Sequence, residues 1–184
     1  FISLVDVLRE SSRQALAELK AIDGRLHTVM LTGDNPAVAE KIAAAAGNID
    51  EVRASLLPAG KLQAVQALQA RFGKVVMVGD GVNDAPALAA SSVGVAMGGA
   101  GSAQAMETAD VVLMQSDLTH LPQALRSSRQ ARRIIMQNIT FSLAVKAAFL
   151  LLTLPGWATL WMAVFADMGA SLLVILNGMR MLKK

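Results

Sequence analysis

The sequence predicts an α/β domain with a parallel sheet, followed by a transmembrane helical hairpin. Three observations predict it. Over residues 1–115, short apolar runs alternate with helical patterns, the sign of a parallel sheet with crossover helices. Two of those runs end in polar, glycine-containing loops, Thr32-Gly33-Asp34-Asn35-Pro36 and Gly79-Asp80-Gly81-Val82-Asn83-Asp84-Ala85-Pro86. Open parallel sheets place their chemistry in such loops, beyond the carboxyl ends of their strands. Two long apolar segments then follow, divided by Pro155-Gly156.

Each element has a local reason. Ser11 and Gln14 make a capping box for a helix reaching about Ala21, with Leu16 and Leu19 inward. Residues 26–31 read as a strand. Asn35 as N-cap and Pro36 as first helical residue start a helix over 36–46, which Gly47 closes. Residues 49–56 read as a linking segment. A helix over 58–71 carries Leu62, Val65 and Leu68 on one face. A strand over 74–78 leads into the Asp80 loop. A helix over 84–90, a strand over 93–97, a Gly-rich connection at 98–101, a helix over 102–108 and a strand over 110–113 complete the domain. The Gly-rich connection lacks the spacing and the Lys of a Walker loop.

Asp117 caps a long helix bearing Arg126, Arg129, Arg132 and Arg133 before the chain turns apolar. Spanning a bilayer takes about 20 apolar residues. Segments 134–154 and 157–176 meet that length, with Gln137 and Asn138 facing protein or interface. Arginines precede the first segment, Arg180, Lys183 and Lys184 follow the second, and the turn between them is uncharged. The positive-inside rule therefore places residues 1–133 and the C-terminus in the cytoplasm. Trp157 and Trp161 suit an outer aromatic belt. Buried core helices are the competing reading.

Composition narrows the classes. The hydrophobic fraction is 54% and the net charge +3. The basic residues flank apolar segments, which favours a lipid bilayer over nucleic acid as partner. Cysteine is absent, so disulfides and thiolate metal sites are excluded within this sequence. His27 and His120 read as isolated, and Glu107 and Asp110 as solvated.

The loops carry the chemistry. Asp80 and Asp84 supply oxygen ligands of the kind Mg²⁺ takes together with waters and a phosphate. A tight turn without chemistry is the competing reading. The helix start at Asn35-Pro36 presents free amides and a positive dipole end to a phosphate. Thr32 adds a hydroxyl there, and Gly33 allows close approach. Lys61 opens the helix at Pro58-Ala59-Gly60-Lys61 and can reach a phosphate as a point charge. In the apolar segments, Lys146 and Asp167 each lie about 15 Å from the turn, so they share a depth. Charges there mark an ion path or a charge pair.

These residues resemble the phosphorylation domain of the P-type ATPases, a Rossmann-like fold of the haloacid-dehalogenase type. Thr32-Gly33-Asp34-Asn35, a helix-start Lys and Gly79 to Leu88 occur in that family's order. The resemblance implies that Thr32, Gly33 and Lys61 contact the phosphoryl group, with Asp34 in the same catalytic loop. It implies that Asp80 binds Mg²⁺, with Asn83 and Asp84 supporting it. Pro58-Ala59-Gly60-Lys61 departs from the family's Pro-Glu-Asp-Lys-like run but keeps the Lys. The family's nucleophile, in an Asp-Lys-Thr-Gly-Thr run, does not occur in these residues. Phe1 to Val5 reads as the middle or end of a strand. The expectation is a C-terminal piece of a longer polypeptide whose other parts hold the nucleotide domain that takes ATP, the actuator domain and earlier membrane helices. Residues 1–116 would then belong to the phosphorylation domain and 117–184 to a long helix with two membrane spans.

Lys146, Thr159-Leu160-Trp161 and Ala166-Asp167-Met168-Gly169 with Asn177 resemble the last two helices of the zinc/cadmium/lead-exporting branch. There the Asp ligates the transported cation and the Lys is a built-in counter-ion, not a ligand. The implied protein is a multi-pass pump of the bacterial plasma membrane. Two other readings stand beside it: a non-catalytic, membrane-anchored module that binds Mg²⁺ and phosphate, and a soluble phosphatase with a greasy dimerisation hairpin.

Overall fold

A computed structural model describes residues 9–80, 83–98, 107–114, 117–157 and 159–183. The expected strand at residues 1–5, most of the Gly-rich connection and most of the 102–108 helix lie outside these. The chain divides into two units, Phe1–Gln123 and Ala124–Lys184.

The first unit begins with helix α1 (Glu10–Ile22). It starts one residue before Ser11, with Arg9 in extended conformation at the N-cap and no side-chain cap. The Ser11–Gln14 capping box therefore does not form. Ser11 is already helical and cannot cap, Glu10 meets the positive helix end instead, and Gln14 donates to Glu18 one turn on. Strand β1 (Val29–Leu31) is shorter than expected. Helix α2 (Pro36–Ala46) starts as expected, with Asn35 Oδ1 accepting from the Val38 amide at 3.0 Å.

The segment expected to be a link contains strand β2 (Glu51–Arg53), parallel to β1 with Val29 opposite Glu51 and Leu31 opposite Arg53. Val52 is its one apolar residue and its charged neighbours are half-buried, so no alternation betrays it. Asp50 fastens this corner. One carboxylate oxygen accepts from the Thr28 amide at 2.7 Å and from Lys20 Nζ at 2.5 Å. Lys20 foremost, then the Thr28 amide, hold the Asp50 carboxyl far below its ordinary value. A carboxyl lowered in this way stabilises the fold above its unfolded pKa and ceases to as pH falls through the folded value. Asp50→Asn is expected to lower the melting temperature at pH 7 by about 2–4 °C. The gap should persist to pH 5 and close progressively below 3.8, the ordinary value. Thermal unfolding of both proteins across pH checks this.

Helix α3 (Pro58–Phe72) ends at Gly73, whose φ of 81° suits glycine. Strands β3 (Val76–Gly79), β4 (Val93–Met97) and β5 (Val111–Leu113) form a second parallel sheet in that order. The described strands thus pair in parallel throughout, as expected, in a sheet of two and a sheet of three. Among the described residues, no strand pairs with the second edge of β1 or of β3. Leu31 at the end of β1 and Val75 before β3 nevertheless pack on the same buried cluster: Val65, Met77, Ala87 and Leu88. Helix α4 (Ala85–Ala90) lies close on β4, because a Cβ on Gly94 would come within 2.9 Å of the Leu88 carbonyl oxygen. Asp110, expected to be solvated, accepts from the Gly94 amide at 2.8 Å.

The second unit is a helical hairpin. Helix α5 (His120–Thr153) follows Asp117, which accepts from the Thr119 amide in a turn just before the helix rather than capping it. Helix α6 (Leu160–Gly178) returns, capped by Thr159, and a 3-10 turn (Met179–Lys183) follows. Gly156 makes the turn at a φ of 76°. Both helices are long and apolar enough to cross a membrane, and only 6% of each apolar window is buried within the chain. Leu150, Leu154, Phe165 and Trp161 are more than two-thirds exposed. This is not the burial of core helices, and apolar surface so extensive marks contact with lipid or protein.

Candidate functional site

The loop after β1 is built from its own side chains. Thr32 Oγ1 donates to Asp34 Oδ2 at 2.7 Å and accepts from the Asp34 amide at 3.1 Å. The Thr32 carbonyl accepts from Leu56, and the Asp34 carbonyl from Ser55. These two bonds tie the loop to the residues leading into α3, so Lys61 is brought one turn into the next helix beside it. The exposed Gly33 and the α2 amides stay at the surface.

Asp80 and Asp84 receive different environments. Asp80 is exposed just past β3. Asp84 is the buried acid of the unit at 7% exposure. Lys61 Nζ reaches Asp84 Oδ1 at 2.7 Å, with side chains 17% and 11% exposed. Gly79 makes room for that carboxylate, since a Cβ there would sit 2.7 Å from Asp84 Oδ2. Asn83 lies exposed in the turn between the two acids.

The structure thus joins Lys61 to Asp84 and Thr32 to Asp34. The oxygen donors fit a hard cation. Asp80 faces solvent, as an ion that keeps several waters requires, and Asp84 lies a short turn behind it. Among the described residues, no group of three or more His, Cys, Asp or Glu side chains could hold a metal.

His27, read as isolated, is not. Its ring stacks on Phe72 at 4.7 Å and lies 3.8 Å from Asp50 and 3.5 Å from Glu51. Arg53 foremost, with His27, lowers the Glu51 pKa. These groups belong to the opposite, amino ends of β1 and β2.

In the hairpin, Lys146 Nζ lies 3.8 Å from Asp167 Oδ1, across α5 and α6. Both side chains are more than half exposed, at 64% and 60%. They line a cavity of about 340 Å³ with Val145, Phe149, Thr153 and Ala163. Sequence reasoning missed the polar contacts further along. Asn177 Nδ2 donates to Asn138 Oδ1 at 2.8 Å, and Asn138 Nδ2 to the Val174 carbonyl at 3.3 Å. Such interhelical bonds contribute about 0.6 kcal/mol each in a bilayer, at most about 1.7. An amide at the edge of each apolar segment was the available signal.

Comparison with known proteins gives the same picture. A hydrolase family described as haloacid dehalogenase-like hydrolase matches residues 1–92. A probable cadmium-transporting ATPase of Listeria monocytogenes is 52% identical over 182 residues, covering 99% of this chain and 25% of that protein. The cadmium, zinc and cobalt-transporting ATPase of Bacillus subtilis is 45% identical over 185 residues, covering 99% and 26%. The crystal structure of a zinc-transporting PIB-type ATPase in the E2.Pi state superposes with a TM-score of 0.89 at 44% identity, covering 97% of this chain and 28% of that one. The chain spans about a quarter of the length of these relatives. With half its residues matched and its motif loops at the ends of parallel strands, the chain belongs to the haloacid dehalogenase-like hydrolases, and along nearly its whole length it is similar to cadmium- and zinc-transporting P-type ATPases.

Proposed function

We propose that this chain is the working end of an ATP-driven exporter of Zn²⁺, Cd²⁺ or Pb²⁺. Residues 1–116 would be part of its cytoplasmic phosphorylation domain, and 134–154 and 157–176 two of its membrane spans. One observation carries the reading. The likeness to the zinc-transporting ATPase covers 97% of this chain, a stretch that holds both the phosphate-type loops and the Lys146–Asp167 pair. Lead rests on the family resemblance alone.

In this reading ATP phosphorylates an Asp supplied by another part of the polypeptide. The Thr32 hydroxyl and Gly33 amide donate to the phosphoryl oxygens, which requires Thr32 to give up its bond to Asp34. Lys61 adds a positive charge from the first turn of α3. Asp80, with Asp84 and Asn83 behind it, would hold Mg²⁺, which when bound neutralises charge on the transferring phosphoryl group. In the Lys61–Asp84 pair each charge neutralises the other while the site waits, so neither stands buried alone. Asp167 would ligate the transported cation, and Lys146 would replace that charge when the cation has left.

The test is ATP hydrolysis by the full-length protein in lipid vesicles, with and without Zn²⁺ or Cd²⁺. Marked stimulation by these ions, in protein that resists extraction by alkaline carbonate, is the expected result. Release by carbonate with hydrolysis indifferent to metal would point to the soluble phosphatase instead.

A further inference from the structure

One directed chain of hydrogen bonds crosses the hairpin where its apolar segments meet their flanking arginines. Arg180 Nη1 donates to Asn177 Oδ1 at 3.1 Å. Asn177 Nδ2 donates to Asn138 Oδ1 at 2.8 Å, and Asn138 Nδ2 to the Val174 carbonyl at 3.3 Å. A guanidinium can only donate. It therefore fixes Asn177 with its oxygen toward Arg180, and Asn177 in turn fixes Asn138. Neither amide has a role in the chemistry proposed above, and both are half-buried between the helices.

Their placement gives them one. At the helical rise, about 12 Å separates Asn138 from Lys146 along α5, and about 15 Å separates Asn177 from Asp167 along α6. At the other end of the hairpin the turn is closed by Gly156 donating to the Thr153 carbonyl and Trp157 to that of Leu152. The Lys146–Asp167 pair thus sits between two fastened points. At 3.8 Å it is too long to be a hydrogen bond that could set the register itself. Lipid supplies no hydrophobic force between helices, so register has to come from packing and from specific polar contacts. A slip of one residue would shift a helix by about 1.5 Å and turn its side chains by about 100°. Either charge would then leave the shared cavity.

We infer that Asn138 and Asn177, oriented by Arg180, are positioning residues that set the register of α5 against α6 and so hold Lys146 opposite Asp167. Only the functional consequence of this inference rests on the exporter reading. The geometric consequence stands apart from it.

The experiment treats membranes containing the full-length protein with a membrane-permeant carbodiimide. The reagent joins an adjacent amine and carboxylate as an amide and itself takes up the water lost. Mass spectrometry then measures the Lys146–Asp167 cross-link. Wild type should form it. Asn138→Leu and Asn177→Leu should each form about three-fold less, the size of one typical interhelical hydrogen bond in a bilayer. The double variant should be no worse than Asn138→Leu, which already removes both interhelical bonds. Asn138→Gln, which keeps an amide, should recover much of the yield. In the same variants the half-saturating Zn²⁺ concentration for ATP hydrolysis should rise while maximal turnover is kept. A purely structural role would lower both yield of protein and turnover together. Should the leucine variants be degraded, Asn138→Ser and Asn177→Ser give the same comparison with shorter polar groups. Wild-type cross-linking in the variants, or none in wild type, overturns the inference. Loss of the cross-link in variants of a protein that Zn²⁺ never stimulates would uphold the register role and sink the exporter.

Discussion

Asp80→Asn is expected to abolish phosphoenzyme formation from ATP, whichever metal is offered, while leaving the protein folded. The carboxylate is exposed past the end of β3, and exposed substitutions usually change stability by no more than about 0.5 kcal/mol. Its loss removes a carboxylate from the exposed position proposed to hold Mg²⁺. Removing one preorganised electrostatic group from such a site costs about 10²–10³ in rate. Asp84 offers the contrast. It is buried and paired with Lys61 at 2.7 Å, so Asp84→Ala leaves a buried ammonium unpaired and costs about 3–5 kcal/mol. Both variants should therefore lose activity, but only Asp84→Ala should melt early. Acid-quenched labelling with radioactive ATP, beside thermal unfolding, separates them. Normal labelling of Asp80→Asn would remove Asp80 from the metal site.

What could be read from the sequence was local. The Asn35-Pro36 helix start, the Gly47 stop and the Pro155-Gly156 turn each depend on neighbours in the chain, and each is where the residues placed it. The failures depend on distance. β2 has a single apolar residue and exists because β1 lies beside it. Lys61 looked like a free point charge because Asp84 is far along the chain. The amides of Asn138 and Asn177 were seen one at a time, and only the folded hairpin brings them to 2.8 Å. At Ser11 the error was of another kind. Two residues satisfied a capping pattern, but Glu10 starts the helix one position earlier. Of the candidate site, the residue types and their loops were legible. That Asp80 is open and Asp84 closed was not, because burial is set by Gly79 and α3 together.

Asp167→Ala is expected to abolish Zn²⁺- and Cd²⁺-stimulated hydrolysis in the full-length protein and leave the first unit folded. The rival explanation is a salt bridge that merely joins α5 to α6. The geometry distinguishes them. At 3.8 Å, with both side chains more than half exposed, the pair is a weak fastening, and the Asn138–Asn177 bond at 2.8 Å is the closer tie. A carboxylate costs about 2.5–3.5 kcal/mol at a membrane centre on insertion scales, so deleting it does not threaten insertion. Lys146→Ala then becomes the deciding control. If the pair were structural, either deletion would be equally harmful, and the double deletion would recover by removing both charges. If Asp167 ligates the cation and Lys146 only stands in for it, the two variants should part. Asp167→Ala should fall to the metal-independent rate, while Lys146→Ala keeps metal stimulation. Adding Lys146→Ala to Asp167→Ala should then restore nothing. Zn²⁺ titrations of hydrolysis in the four proteins decide it, and recovery in the double variant would sink the ligand role. The asymmetry follows from charge: a divalent cation needs the carboxylate present, but it does not need the ammonium, which only takes its place when the cation has left.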